Sequence, residues 1–385
     1  MAIQQDAIVD VAVDVGNATV KFSGQRAGTW AVESSRVAVA PPHPSFAVHE
    51  RPIPWFVYVS GPAALDPNPY YVGDAVDLSG ITGDTIVGRA ERRVKSSAYL
   101  VLHLYGILRA VQRLPLEAVT EADGTVVYPV TVAFTGGVPQ ADSTNTPVLT
   151  LLRHRLTGRT SPSAPAEPHR IRYGPPGHEN LYQITVADVV VFPQPLGGLA
   201  VHLLDTQGAF LTDTAMNRKF FLLDIGGGTT DRAVWEHMQP VQGADGSDDL
   251  GMHHVARYAM EHIVRRYPQM SGSDAGVVLD CLRRKETQLQ IGRDWVDIEQ
   301  EIRWAFRTVG EHIMRAVQQA WGPTLPSGEV VLFGGGGAAF YPYIAEQLRD
   351  VTAVTLVPHS VTAVVEGFRR MALFVRRTKM NGSHG

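Results

Sequence analysis

A β-branched apolar run over residues 7–15 opens the chain and closes on Asp14-Val15-Gly16-Asn17, which predicts a buried strand followed by a tight turn. Thr19-Val20-Lys21-Phe22 starts the returning strand. Residues 28–82 read as strands and loops, broken at Pro41-Pro42 and Pro52-Ile53-Pro54. Over 91–114 the pattern changes to helical spacing, with Tyr99, Leu100, His103, Leu104, Ile107, Leu108 and Val111 on one stripe. A strand at 126–134 ends at Gly136-Gly137-Val138-Pro139, and a helix is expected to about residue 156. Residues 157–177 are rich in Pro, Ser and Gly and predict a loop or mobile insertion. A strand at 184–192 leads through Pro195-Leu196-Gly197-Gly198 into a short helix.

The second half repeats the opening. Phe220-Phe221-Leu222-Leu223-Asp224-Ile225 is a strand ending in an acid, followed by Gly226-Gly227-Gly228-Thr229-Thr230-Asp231 and a partner strand at 233–236. Helical regions are expected at 250–267 and 296–321. Val330-Val331-Leu332-Phe333 runs into Gly334-Gly335-Gly336-Gly337. Residues 361–377 form an amphipathic helix with Val361, Val364, Val365, Phe368, Met371, Ala372 and Val375 on one face. A polar tail, Asn381-Gly382-Ser383-His384-Gly385, is expected to fray. The unit strand, acid, glycine turn, strand thus occurs at Asp14 and again at Asp224, so two α/β domains of similar plan are expected.

Composition narrows the class. With 385 residues, two or three domains are expected. Hydrophobic residues at 44% and charged residues at 19% describe a globular chain with real cores. A net charge of −4 excludes a strongly basic nucleic-acid coat, although not a local basic patch. The single cysteine, Cys281, excludes an internal disulfide framework and a cysteine zinc cluster, and fits a reducing compartment. His253-His254 are adjacent and would point apart on a helix, so no zinc site is read there. No apolar run approaches the ~18 residues of a membrane span, and the N-terminus lacks a signal-peptide pattern. A cytoplasmic protein is expected.

A hairpin turn of glycine and small polar residues presents backbone N–H groups without obstruction, and such a nest binds phosphate oxygens. An aspartate at the preceding strand end repels phosphate unless a divalent cation lies between them. Mg²⁺, which takes few carboxylates and keeps several waters, suits that position. Lys21, on the returning strand after Asp14, can reach phosphate as a point charge. The four glycines at 334–337 leave room for a flat base or ribose. Each piece alone has a plainer reading: a turn, a solvated lysine, a helix-packing turn. Their joint occurrence and order carry the argument.

Asp14-Val15-Gly16-Asn17-Ala18-Thr19-Val20-Lys21 resembles the first phosphate motif of the actin-like ATPases. Asp224-Ile225-Gly226-Gly227-Gly228-Thr229-Thr230-Asp231 resembles their second, and Val331-Leu332-Phe333-Gly334-Gly335-Gly336-Gly337-Ala338 their adenosine motif. Within that superfamily the first motif, with Tyr71-Val72-Gly73-Asp74-Ala75 and Phe134-Thr135-Gly136-Gly137-Val138-Pro139, is similar to the ParM/StbA plasmid-segregation branch and its archaeal actin relatives. The fold class implied is α/β, with two actin-like (ribonuclease H-like) domains. Each would be a mixed five-stranded sheet with flanking helices, with nucleotide in the cleft between them. Domain I would span 1–205, with 363–385 packing back on it, and domain II 206–362.

The resemblance implies roles residue by residue. Gly16, Asn17, Ala18, Lys21, Gly226, Gly227, Gly228, Thr229 and Thr230 would bind phosphate. Asp14 and Asp224 would hold Mg²⁺, mainly through water. Gln194, in Phe192-Pro193-Gln194-Pro195-Leu196-Gly197-Gly198, would orient the attacking water. Relatives often carry Glu there, and a glutamine orients water without acting as a strong base. Its plainer role is a cap between prolines. Asp231 would help orient that water or stabilise its own hairpin. Gly334, Gly335 and Gly336 would support the nucleoside, and Arg283, Lys285 and Glu286 would either contact it or form an ordinary helix face.

The function implied is a filament-forming ATPase using ATP (or GTP) and Mg²⁺, partnered by itself and by a DNA-binding adaptor, with DNA contacted indirectly. Three alternatives stand beside it. A small-molecule kinase of the same superfamily would need an acceptor motif that is not evident. A chaperone ATPase would need a further substrate-binding domain. A membrane-attached actin-like scaffold would use Arg369, Arg370, Arg376, Arg377 and Lys379 on the last helix, although packing of that helix against domain I is the favoured expectation.

Overall fold

The apolar run at the start of the chain becomes an inner strand of a large mixed sheet, flanked on both edges. In the computed structural model, residues 7–24, 28–41, 52–79, 81, 84–85, 91–161, 163–212 and 216–382 are described. Pro42 of the expected proline break and Ser383-His384-Gly385 of the expected frayed end lie outside them. The chain divides into two compact units, the first comprising Met1–Ala209 and Val364–Gly385, the second Phe210–Ala363.

The strands of the first unit are β1 (Ile8–Val15), β2 (Thr19–Ser23), β3 (Trp30–Ser34), β4 (Arg36–Val39), β5 (Trp55–Ser60), β6 (Pro69–Val72), β7 (Asp84–Thr85), β8 (Val119–Thr120), β9 (Val126–Val138), β10 (Pro168–Gly174) and β11 (Asn180–Pro193). Its helices are α1 (Asp74–Ser79), α2 (Glu91–Lys95), α3 (Ser97–Val111), α4 (Thr146–Thr157) and α5 (Gln194–Leu203). The second unit holds β12 (Lys219–Ile225), β13 (Thr230–Glu236), β14 (Gln239–Pro240), β15 (Gly246–Asp248), β16 (Gln288–Ile291), β17 (Asp294–Asp297), β18 (Glu329–Phe333) and β19 (Ala353–Leu356). Its helices are α6 (Met252–Arg266), α7 (Gly276–Arg284), α8 (Glu299–Trp321) and α9 (Gly337–Leu348). Helix α10 (Ala363–Gly382) returns the chain to the first unit at Val364.

The two units share a five-strand core. In the first the order is β3-β2-β1-β9-β11, an antiparallel meander joined through β1 to the parallel strands β9 and β11. In the second, β14-β13-β12-β18-β19 has the same order and the same strand senses. Each unit has the expected five strands as its core, and among the described residues further strands extend both sheets. The first sheet has eleven, because β10, β5, β6, β4 and β7 extend it beyond β11 and β8 pairs with β9; the second has six. The expected loop at 157–177 needs correction. Most of its second half is β10, paired antiparallel with both β11 and β5. His169 and Ile171, both fully buried, alternate there with more exposed Arg170 and Arg172. Flanking Pro and Gly masked this short strand. Likewise β9 runs on through Gly136 and Gly137, and the second unit contains α7, which carries the helix face that is one of the two readings of Arg283, and the β16–β17 hairpin, which has no counterpart in the sequence pattern.

Helix α3 is buried on nearly every side, which matches its all-round apolar sequence. Two histidines are enclosed in the same unit. His103 on α3 donates from Nδ1 to Tyr99 O at 2.8 Å. His169 donates from Nε2 to Leu156 O at 2.7 Å and accepts at Nδ1 from Tyr58 Oη at 3.2 Å. Burial pushes both imidazoles down to about 4. They are therefore neutral in the folded protein, while in the unfolded chain they take up protons below about 6.5. Stability is full above that value and falls as pH drops toward 4, by on the order of 3 kcal/mol for each histidine. Melting temperature measured from pH 7 to 4.5 should fall steadily, and His103→Leu should roughly halve the slope. A flat profile would mean that these rings are not buried neutral.

Helix α10 packs on the first unit through Val364, Val365, Phe368 and Met371. Val361 precedes the helix and is exposed, so it leaves the expected stripe. The basic residues on α10 are largely used internally. Arg369 and Arg370 grip Glu366, and Arg376 pairs with Asp10. Arg377 is exposed, and the side chain of Lys379 lies outside the described residues. Among the described residues, no helix is long and apolar enough to cross a membrane.

Candidate functional site

The β1–β2 ladder sets Asp14 opposite Lys21. Asp14 is only 2% exposed, and Lys21 Nζ donates to its Oδ2 at 2.9 Å. The other carboxylate oxygen is taken by Gln194, whose Nε2 donates to Oδ1 at 2.9 Å. Gln194 is the first residue of α5, placed there by the end of β11, and Pro195 suits the first turn of the helix. Only the NH₂ end of the amide can donate to a carboxylate, so the contact fixes the amide orientation and keeps Oε1 as an acceptor. Gln194 is thus not a simple turn cap; it is tied to the first acid of the motif.

The turn between β1 and β2 closes with Gly16 N–H donating to Thr19 O at 3.0 Å. The turn between β12 and β13 closes the same way, Gly226 N–H to Thr229 O at 2.8 Å. Asp224 stands opposite Asp231 in that ladder, and Thr229 Oγ1 donates to Asp231 Oδ2 at 3.2 Å. Asp231 therefore stabilises its own hairpin. Thr230 Oγ1 is turned away to Leu250 O at 2.8 Å and its backbone is paired with both β12 and β15, so Thr230 leaves the expected phosphate set. The turn carbonyls are occupied from behind: Met252 N–H donates to Gly226 O at 3.2 Å and His253 N–H to Gly227 O at 2.8 Å. Helix α6 comes this close because residue 251 has no side chain; a Cβ there would lie 2.7 Å from Gly227 O. With the carbonyls pinned, the turn amides are the polar groups left for an anion.

Gly334 is locked against Asp224. Its φ is +89°, and a Cβ would lie 2.2 Å from Asp224 Oδ1. Gly334 N–H donates to Ser360 O at 3.0 Å and Gly336 N–H to Ile225 O at 2.7 Å. The second unit therefore brings Asp224, the 226–229 turn and the 334–337 turn together, and Gly335 faces open space. Gly334→Ala combines backbone strain with a clash on the acid. It should cost about 2–3 kcal/mol in urea unfolding and weaken nucleotide retention in a filter or fluorescence assay. Wild-type behaviour in both would remove Gly334 from the site.

Arg283, Lys285 and Glu286 sit at the end of α7, exposed. Arg283 pairs with Asp280 at 3.2 Å and Glu286 with Arg284 at 3.1 Å, while Lys285 caps the helix in the left-handed conformation. The charges of Arg283 and Glu286 are used locally, as on an ordinary helix face. Among the described residues no cluster of three or more His, Cys, Asp or Glu side chains could cage a metal. Isolated carboxylates beside anion-binding turns suit Mg²⁺, which keeps its waters and shares phosphate oxygens. Asp14 retains acceptor capacity for such waters beyond its two present donors.

Residues 222–347 match the family model described as archaeal actin homologue MreB-like, C-terminal. No curated protein sequence matches the chain. Solved structures share the whole fold at low identity. Apo psk41 ParM is 16% identical with a TM-score of 0.69, covering 96% of this chain and 98% of its own. The archaeal actin homologue Ta0583 in complex with ADP is 14% identical with a TM-score of 0.67, covering 95% and 99%. ParM from a 15-stranded filament of Clostridium botulinum is 16% identical with a TM-score of 0.64, covering 94% and 98%. The fold is the actin-like two-domain fold of these structures. Its architecture is that of ParM and the archaeal actin homologue.

Proposed function

We propose that this chain is a filament-forming, nucleotide-hydrolysing actin-like protein that works in the cytoplasm on ATP or GTP with Mg²⁺. The observation that carries the reading is the matched pair of hairpins, each closed by a Gly N–H to Thr O bond and each led by an aspartate. ADP in the archaeal relative and the filament in the clostridial one support nucleotide binding and self-assembly. In the first unit phosphate is taken by the amides of Asn17 and Ala18, with Lys21 adding positive charge, and in the second by those of Gly227, Gly228 and Thr229, while the Gly16 and Gly226 amides close their turns. Gly334, Gly335 and Gly336 leave the nucleoside unobstructed. Mg²⁺ bound with the nucleotide supplies charge neutralisation on the phosphates. Asp14 and Asp224 are the acids that would hold it, mainly through water. Gln194, its amide held by Asp14, accepts a proton-bearing water at Oε1 and aligns it for attack, without serving as a strong base. Nucleotide-driven head-to-tail assembly gives an open filament, since a heterologous contact need not close. We assign the filament to DNA segregation through a DNA-binding adaptor.

Light scattering and pelleting with and without Mg²⁺-ATP, with phosphate release followed in the same tube, test the reading. Assembly together with phosphate release is expected, and the same run with GTP ranks the bases. Phosphate release without assembly over a wide protein range would overturn the filament assignment. Gln194→Ala should retain nucleotide binding and slow phosphate release by about 10²-fold. Lost binding instead would place Gln194 in the pocket framework.

A further inference from the structure

Within the first unit, α5 and α10 meet backbone to backbone. A Cβ on Gly367 would lie 1.8 Å from Gly197 O, and one on Gly197 would lie 2.6 Å from Val364 O. Close to this crossing, three groups converge on one point. A Cβ on Gly137 would lie 2.2 Å from Cζ of the Phe368 ring and 2.9 Å from Cγ of Gln194. The bare backbone at 137, the Phe368 ring and the stem of Gln194 therefore occupy the space that one methyl group would need. Phe368 is fully buried, and its ring stacks on Phe192 with centroids 6.4 Å apart and planes at 25°. Phe192 lies in β11, two residues ahead of Gln194, so the ring is held from the same strand end that launches the glutamine.

We propose that Phe368 is a positioning residue for Gln194, an inference that rests on the water-orienting role given to Gln194 above. A glutamine stem has three rotatable bonds. Its hydrogen bond to Asp14 fixes only the amide end. The ring and the Gly137 backbone fill the space on the stem, so the amide meets Asp14 in one orientation and Oε1 in one place. A displacement of about 1 Å at such a group can cost ~10²-fold in rate. Leucine at 368 would leave a gap beside the stem that surrounding atoms close only in part.

Steady-state phosphate release by the full chain provides the test, using Phe368→Leu, Gln194→Ala and the double variant. Phe368→Leu should lower kcat by about 10-fold or more and leave nucleotide affinity within about 3-fold, because the stem and not the phosphate turns is loosened. In the Gln194→Ala background the same change should cause no further slowing, since the residue it acts through is gone. Slowing that adds in full, or a parallel loss of nucleotide affinity, would show a merely structural role. Unchanged kcat in Phe368→Leu beside a slowed Gln194→Ala would overturn the inference while leaving the role of Gln194 intact. Unchanged turnover in Gln194→Ala would instead overturn that role. The seat is then read without turnover from the Gln194 side-chain ¹⁵NH₂ signals, assigned by their loss in Gln194→Ala. They should move toward the position of a free glutamine in Phe368→Leu, and an unmoved pair would overturn the seat. Should Phe368→Leu fail to fold, Gly137→Ala drives a methyl group into the same seat from the opposite side and carries the same expectations.

Discussion

Asp14→Ala is expected to abolish phosphate release, by about 10³-fold or more, a larger loss than Gln194→Ala alone. One carboxylate anchors two functional groups: Oδ2 holds Lys21 and Oδ1 holds Gln194, each at 2.9 Å. Removing a single preorganised donor from a reacting site typically costs ~10²–10³-fold. Here the substitution releases the water-orienting amide and the lysine together, and also removes an acid placed to orient cation-bound water. Stability should fall as well, because the side chain of Lys21 is only 11% exposed and loses its carboxylate partner. Breaking such a buried pair from one side costs about 3–5 kcal/mol. Asp14→Asn separates the effects: it keeps the shape and an acceptor but removes the charge, so more of the fold is retained while turnover stays lost. Asp224→Ala should likewise end turnover. Normal phosphate release by either alanine variant would mean that the acid does not belong to the reacting site.

The hairpins and the glycine turn were legible because their chemistry is written in contiguous residues. An apolar run ending in an acid, then glycine, is a strand and a turn whatever surrounds it. The common plan of the two halves showed for the same reason, and the structure carries it through to strand order. Gln194 was found only through the family resemblance. Its partner Asp14 lies far from it in sequence, and nothing local marks that contact. Phe368 read as one more apolar position on an amphipathic stripe, because a core residue that holds a functional stem looks like any other core residue. Gly251 gave no signal either: its need for a bare backbone arises from the carbonyl of Gly227, which packs against it in three dimensions. The six added strands of the first sheet were the hardest case. Strands were expected within 28–82 without bounds or partners, and β8 and β10 not at all, because short segments such as β10, flanked by Pro and Gly, carry little local signal until they pair.

Glu366→Ala is expected to destabilise the protein more than any surface substitution, by about 3–5 kcal/mol. The carboxylate is 4% exposed and accepts from Arg369 Nε at 2.9 Å, Arg369 Nη2 at 2.8 Å and Arg370 Nε at 3.0 Å. Those guanidinium groups reach onward to backbone carbonyls in the last turn of α5 and just past it: Arg370 to Val201 O at 3.1 Å and Leu204 O at 2.5 Å, and Arg369 to Thr206 O at 2.8 Å. Glu366 thus holds two cations that tie α10 to the end of α5. Without it the two guanidinium groups face each other and keep backbone carbonyls as hydrogen-bond acceptors, with Asp10 and Asp205 acting only at longer range. For a unit of this size each kcal/mol moves the melting temperature by about 2–4 °C, so a drop of about 10 °C is expected. The pH dependence carries a separate mark. Burial pushes the Glu366 carboxyl up, but Arg369 and Arg370 outweigh it and hold the group below its ordinary value of 4.5. A carboxylate with a lowered folded pKa contributes stability that is complete above 4.5 and lost as pH falls through the folded value. This limb lies below the one set by His103 and His169, which acts between about 6.5 and 4. Glu366→Gln, which keeps the volume but not the charge, should flatten the acid limb and leave the histidine limb in place. If melting curves of Glu366→Gln and wild type kept a constant separation down to pH 3, the ion cluster would not be what fastens α10.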